Sequence, residues 1–153
     1  MYSLVIADTS CLILLEKINR LHLLKDFFGD IYITEDVKIE YGEPLPAWIK
    51  IKKIESKITQ RALELRLDQG EASAIALGLE NTNSLLLLDE KKGRRIALEL
   101  GLKLIGTLGI IIRAKESGKI NSISKEIEKL QAVNYRISDS LVRKVIEKYD
   151  SAD

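Results

Sequence analysis

The chain has 153 residues, 46% of them hydrophobic and 31% charged, proportions that suit one domain with a sizeable core and a well-solvated surface. Its 24 basic and 23 acidic side chains give a net charge of +1, too small to attract nucleic acid by overall field, so any phosphate-binding footprint must be local. A single cysteine, Cys11, excludes an internal disulfide framework, and with neither a signal pattern nor a membrane-length apolar run a cytoplasmic address is expected.

The first apolar run, Leu4-Val5-Ile6-Ala7, stops at Asp8-Thr9-Ser10. It predicts a buried parallel strand whose C-terminal end delivers Asp8 to the sheet edge where open α/β folds place their ligands. Ser10 is placed to N-cap a mostly buried helix through Cys11, Leu12 and Leu15, and residues 21–28 predict a second helix ended by Gly29. Cys11 reads as a small buried apolar residue and His22 as solvated surface, since neither has a catalytic partner near it in sequence. Ile31-Tyr32-Ile33 predicts a second strand. Thr34, Glu35 and Asp36 then make an acidic helix start, and the spacing of Ile33, Val37, Glu40 and Tyr41 puts Glu40 on the side facing the sheet. A carboxylate there needs a partner; failing one, Glu40 snorkels beside Ile39.

Residues 42–46, with two prolines, form the one obvious loop, and residues 48–54 alternate as an edge strand or an exposed amphipathic segment guarded by lysines. A charged helix over residues 59–67 leads to Asp68-Gln69-Gly70-Glu71, which opens a helix with a stripe of Ala72, Ile75, Ala76 and Leu79. Glu71 either points toward the strand ends or bonds back to the Asp68 amide in a capping box; the spacing allows both. Residues 84–88 repeat the opening theme, an apolar strand ending at Asp89-Glu90, and a helix over residues 91–100 follows with Gly93, Ala97 and Leu100 inward. After Gly101 come a strand at residues 103–105, the turn Gly106-Thr107-Leu108-Gly109 and an apolar helix over residues 110–115. The helices near residues 123–130 and 138–149 are amphipathic, with apolar faces for packing or for a second copy of the chain, so a homodimer is expected.

This alternation predicts an α/β fold: an open, mostly parallel sheet flanked by helices, with Asp8, Asp89 and Thr107 along one edge. With Glu40 and Glu71 abutting that edge, about four carboxylates gather in one cleft, where they cannot all remain ionised without cations. Oxygen donors without cysteine or paired histidine favour Mg²⁺ or Mn²⁺, and a metal-assisted phosphodiester hydrolase follows. Asp8→Asn or Asp89→Asn is then expected to raise thermal stability without metal, by relieving like-charge repulsion. Lys91, Lys92, Arg94 and Arg95 follow Asp89 in a helix start where each cation is unfavourable by roughly a few tenths of a kcal/mol. We read them as a local phosphate footprint beside the acids, against a plainly solvated face with Arg95 and Glu99 paired.

These residues resemble the PIN domains, a family of metal-dependent nucleases. Asp8-Thr9-Ser10 followed by Leu12-Ile13 is similar to the opening PIN motif, Glu40 to the second acid, Glu71 in Gly70-Glu71-Ala72-Ser73-Ala74-Ile75 to the third, and Asp89 after Leu85 through Leu88 to the fourth. The likeness covers roughly residues 1–115, and the ordered set is more specific than any motif singly. It implies a three-layer α/β/α domain over residues 1–153, with a central, mostly parallel sheet of about five strands and C-terminal helices appended. It implies an endoribonuclease in which Asp8, Glu40, Glu71 and Asp89 are the catalytic acids and hold Mg²⁺ or Mn²⁺. RNA would meet Thr9, Ser10, Thr107, Lys91, Lys92 and Arg94. As the toxin of a toxin–antitoxin pair, the chain would have an antitoxin protein as partner. Where many members carry Thr-x-Asp-x-Asp or Asn at the last acid, this chain has Leu88-Asp89-Glu90-Lys91, which adds Glu90 as a ligand candidate. Two alternatives stand beside this reading: a catalytically silent module of the same fold that binds nucleic acid or protein, and a phosphatase with Asp8 as nucleophile. The second only half matches the haloacid dehalogenase pattern, because Ser10 stands where a second Asp is expected.

Overall fold

Strand β1 (Leu4–Ala7) is buried at all four positions and forms the middle of a five-stranded, all-parallel sheet of order β3-β2-β1-β4-β5. The other strands are β2 (Ile31–Ile33), β3 (Ile49–Ile51), β4 (Ser84–Leu87) and β5 (Lys103–Ile105). The computed structural model describes residues 1–150. Its helices are α1 (Thr9–Lys17), α2 (His22–Phe28), α3 (Glu35–Tyr41), α4 (Lys57–Glu64), α5 (Gln69–Glu80), α6 (Lys91–Glu99), α7 (Thr107–Glu116), α8 (Ile123–Ala132) and α9 (Asp139–Tyr149).

Alternation along each strand divides the interior into two cores, because successive side chains leave opposite faces of a sheet. Val5, Ala7, Ile31, Ile33, Leu85 and Leu87 join one core with α1, α2, α3, α7 and α8, while Leu4, Ile6, Leu86 and Leu88 join the other with α5 and α6. Helices thus cover both faces, the three-layer α/β/α arrangement that continuous apolar strands require. The chain winds outward from β1 through β2 to β3, then returns to lay β4 on the other side of β1 in register Ala7↔Leu87. This reversal between β1 and β4 is the switch point where open α/β sheets form a crevice at their carboxyl ends. Asp8 and Asp89 leave the sheet there.

Several boundaries differ from the sequence expectation for identifiable reasons. Helix α1 starts at Thr9 with Asp8 itself at the N-cap position, so Ser10 is not the cap. Helix α7 starts at Thr107, inside the turn expected before it, because Asp89 accepts the Thr107 amide from outside the helix. Helix α5 is buried continuously from Gly70 to Gly78 rather than along one stripe, since α3, α4 and α6 pack its outer sides; Leu79 is exposed. On α6 the inward residues are Gly93, Ile96 and Ala97, and Leu100 is exposed beside the left-handed turn at Gly101. The C-terminal helices pack back on the first core through Ile123, Ile127, Leu130 and Val145. The residues at 48–54 supply the edge strand β3, where Lys50 pairs with Asp30.

Candidate active site

A cleft of about 320 Å³ opens at the switch point, lined by Asp8, Thr9, Ser10, Ile13, Glu40, Asp68 and Glu90. Asp8 reaches it because the β1 backbone continues for one residue past the strand, the Asp8 amide bonding the Leu87 carbonyl at 2.9 Å, before α1 turns away. Its carboxyl makes no capping bond to α1. Oδ2 takes a long 3.4 Å bond from the Ser10 hydroxyl, and Oδ1 is buried without a partner. Burial, reinforced by the carboxylates of Asp68 and Glu40, pushes the Asp8 acid up to about 7, although the Thr9 amide and Ser10 hydroxyl pull the other way.

Glu40 is exposed on α3, and its Oε1 accepts the Thr9 hydroxyl at 2.7 Å, which supplies the partner that position requires. Gly70 makes room for it: a Cβ there would lie 1.9 Å from Glu40 Oε1. Gly93 serves Glu71 in the same way, a Cβ standing 2.5 Å from Glu71 Oε2. Asp68 caps α5 by accepting the Glu71 amide at 2.8 Å. Half of the capping box is therefore present, yet Glu71 Oε2 is buried and unpartnered. Burial raises the Glu71 acid to about 8, and hydrogen bonding to Asp68 with the charges of Asp68, Asp8 and Glu90 adds to the rise.

Asp89 lines the adjoining larger cleft with Glu90 and Ser10 and has its own donors. Its Oδ1 accepts the Thr107 amide at 2.8 Å and the Tyr135 hydroxyl at 3.2 Å, and its Oδ2 accepts the Thr107 hydroxyl at 2.6 Å. Thr107 is fully buried, its amide and hydroxyl both donating to Asp89 at the start of α7. Tyr135 arrives through the turn that ends α8. Asn134 adopts φ 68°, its amide bonds the Gln131 carbonyl, and the Tyr135 amide bonds the Leu130 carbonyl, the paired bonds of a Schellman motif. Arg94 donates to the Leu88 carbonyl at 2.9 Å, Lys91 lines a second, larger cleft with Asp89 and Glu90, and Lys92 is exposed and lines neither. Cys11 is fully buried, and burial lifts its thiol well above the ordinary value, which leaves it an apolar core residue.

Two site residues are missed by sequence reasoning. Asp68 reads in the sequence only as a cap, yet it both caps α5 and lines the cleft, and an acid at a helix start beside a strand edge is the available signal. Tyr135 has only the helix-stop residue Asn134 before it, a local signal that says nothing of Asp89.

The donor chemistry fits a hard divalent cation. Two buried, unpartnered carboxylate oxygens, on Asp8 and Glu71, each carry a cost of about 1–3 kcal/mol until a proton or a cation satisfies them. Oxygen-only donors suit Mg²⁺ or Mn²⁺. Among the described residues no three His, Cys, Asp or Glu side chains are grouped so as to hold a metal ion as they stand, and Asp89 accepts its hydrogen bonds from Thr107 and Tyr135.

The all-parallel α/β/α sheet thus carries acids at its switch point. A family model described as a PIN domain matches residues 4–151, and the chain belongs to that family. The match runs well past the roughly 115 residues of motif resemblance and takes in α8, α9 and the turn between them that carries Tyr135. PIN domains are generally nucleases and usually depend on divalent metal ions. No relative was found among curated proteins or solved structures.

Proposed function

We propose that the chain is a Mg²⁺- or Mn²⁺-dependent endoribonuclease, and the observation that carries this is the pair of buried, unpartnered carboxylate oxygens on Asp8 and Glu71 at the switch point. Asp8 and Glu71 would hold the ion, with Asp68, Glu40 and Glu90 near enough in charge to couple to them. When bound, such an ion lowers the pKa of water and neutralises charge on a phosphodiester oxygen. The remaining work falls to the protein. Thr9 fixes the Glu40 carboxylate by its 2.7 Å bond, Ser10 steadies Asp8, and Gly70 and Gly93 allow two acids to sit against helix backbone. Asp89 holds α7 and the α8 turn in place so that the larger cleft keeps its shape.

Incubating a labelled RNA pool with the protein and Mn²⁺, against the same reaction in EDTA, tests the reading. Cleavage that EDTA and Asp8→Asn both abolish is the expected result. RNA bound but left intact at every Mn²⁺ and Mg²⁺ concentration would instead favour the silent binding module. As the toxin of a toxin–antitoxin pair, the chain would arrest growth on expression, and Asp8→Asn would lift the arrest.

A further inference from the structure

A cavity of about 760 Å³ lies between α1, the start of α6 and the turn joining α8 to α9. It shares Ser10, Ile13 and Glu90 with the acid-lined cleft, so the two form one continuous depression. Its cations come from three separate elements: Lys17 ends α1, Lys91 opens α6 and Arg136 follows the Schellman turn of α8. All three are exposed, and none forms an ion pair among the described residues. Between them lies an apolar floor of half-buried Ile13, Leu14 and Val133.

We propose that a single-stranded RNA lies along this depression, with its phosphates on Lys17, Lys91 and Arg136 and its bases on the apolar floor; this rests on the nuclease reading of the adjoining acids. Of the footprint expected on α6, Lys91 lines the cavity, Arg94 donates to the Leu88 carbonyl and Lys92 lines neither cleft, while Lys17 and Arg136 add cations from the other walls. Cations spaced along an open groove suit the backbone of a single strand, and the apolar floor can take the faces of unstacked bases, which a duplex keeps paired and stacked. The left-handed Asn134 fixes where Arg136 leaves α8, so its place in the wall is set by backbone hydrogen bonds.

The test measures binding of a short fluorescein-labelled single-stranded RNA of mixed sequence over a range of salt, in an Asp8→Asn background that prevents cutting. Lys17→Gln/Arg136→Gln is expected to weaken binding at least about tenfold at low salt and to reduce the log–log salt slope by about 1.4, at roughly 0.7 for each phosphate no longer neutralised. Lys25→Gln/Lys103→Gln removes the same charge away from both clefts and should leave the slope unchanged, and Mn²⁺ affinity of the Lys17→Gln/Arg136→Gln chain with Asp8 intact should equal wild type. An unaltered slope in the first pair, an equal loss in the second, or duplex RNA competing as well as single-stranded RNA would overturn the proposal. Failure of the wild-type chain to cut RNA, with this binding pattern intact, would remove the hydrolase reading and leave the groove standing.

Discussion

Asp8 and Glu71 each keep one carboxylate oxygen buried with nothing donating to it, a condition a purely structural acid avoids. Replacing Asp8 with Asn removes a buried acid whose charged form burial and neighbouring carboxylates oppose. At about pH 8 the metal-free variant should therefore melt higher than wild type, by an amount on the order of 1–2 kcal/mol in stability, while calorimetric titration shows Mn²⁺ binding greatly weakened. A variant that melts lower and binds Mn²⁺ as before would assign Asp8 to the fold instead. Gly93 gives a second handle on the same acid pair. A Cβ there meets Glu71 Oε2 at 2.5 Å, so Gly93→Ala must move the carboxylate even though alanine is the better helix former by about 1 kcal/mol. We expect Mn²⁺ affinity to fall by about tenfold or more, as for other changes that disturb a ligand's seat. Shortening the acid in Glu71→Asp/Gly93→Ala should recover part of the loss; no recovery would mean that the glycine matters for packing alone.

The start of α7 shows how much one acid can do for the elements around it. Asp89 accepts from the Thr107 amide, the Thr107 hydroxyl and the Tyr135 hydroxyl, tying β4, α7 and the α8 turn into one unit. The sequence reading groups Asp89 with Asp8 and expects its neutralisation to stabilise the metal-free chain. The geometry reverses that expectation, because an Asn side chain gives up the charge that strengthens the three bonds Asp89 accepts and can keep only its carbonyl oxygen as an acceptor. Asp89→Asn should lower metal-free stability by about 1.5–3 kcal/mol, the range for hydrogen bonds to a charged group, and Tyr135→Phe by about 1 kcal/mol; urea midpoints at constant m-value would measure both, and an Asp89→Asn chain more stable than wild type would restore the repulsion argument. This contrast explains what could be read without coordinates. Runs such as Leu4-Val5-Ile6-Ala7 and Ser84-Leu85-Leu86-Leu87 declare buried parallel strands locally, and the strand ends locate Asp8 and Asp89 on one edge. Which donors surround each acid is decided by residues far away in the chain, 46 positions in the case of Tyr135 and Asp89, and no local spacing encodes that. Glu71 lies between these cases: the capping-box pattern correctly gives Asp68 its bond to the Glu71 amide but says nothing of the burial that leaves Oε2 without a partner.

The acids also set how stability of the entire chain depends on pH, and the two kinds present act in opposite windows. Glu126, bonded by Arg20 at 2.7 Å and Lys129 at 3.0 Å, and Asp150, which accepts the amides of Ile123 and Ser124, are held below their ordinary values, so the stability they contribute is lost as pH falls through the acid range. Asp8 and Glu71 are raised, from 3.8 to about 7 and from 4.5 to about 8. Between the unfolded and folded values the folded chain binds more protons than the unfolded one, so here stability falls as pH rises, by at most about 1.4 kcal/mol per unit for each group. The metal-free protein should accordingly be most stable near about pH 5 and lose stability steadily to about pH 8, the reverse of an acid-sensitive domain. Adding Mn²⁺ should remove that decline. The ion binds the deprotonated carboxylates of the folded state, and at a hundredfold excess over its dissociation constant it stabilises by about 2.7 kcal/mol. Differential scanning calorimetry from about pH 4.5 to 8, with EDTA and with Mn²⁺, measures both curves, and Asp8→Asn/Glu71→Gln should flatten the EDTA curve across the upper half of that range. A wild-type melting temperature that does not fall between about pH 5 and 8 in EDTA would mean that the two acids are solvated and ionised throughout, and the case for a cation between them would lose its physical basis.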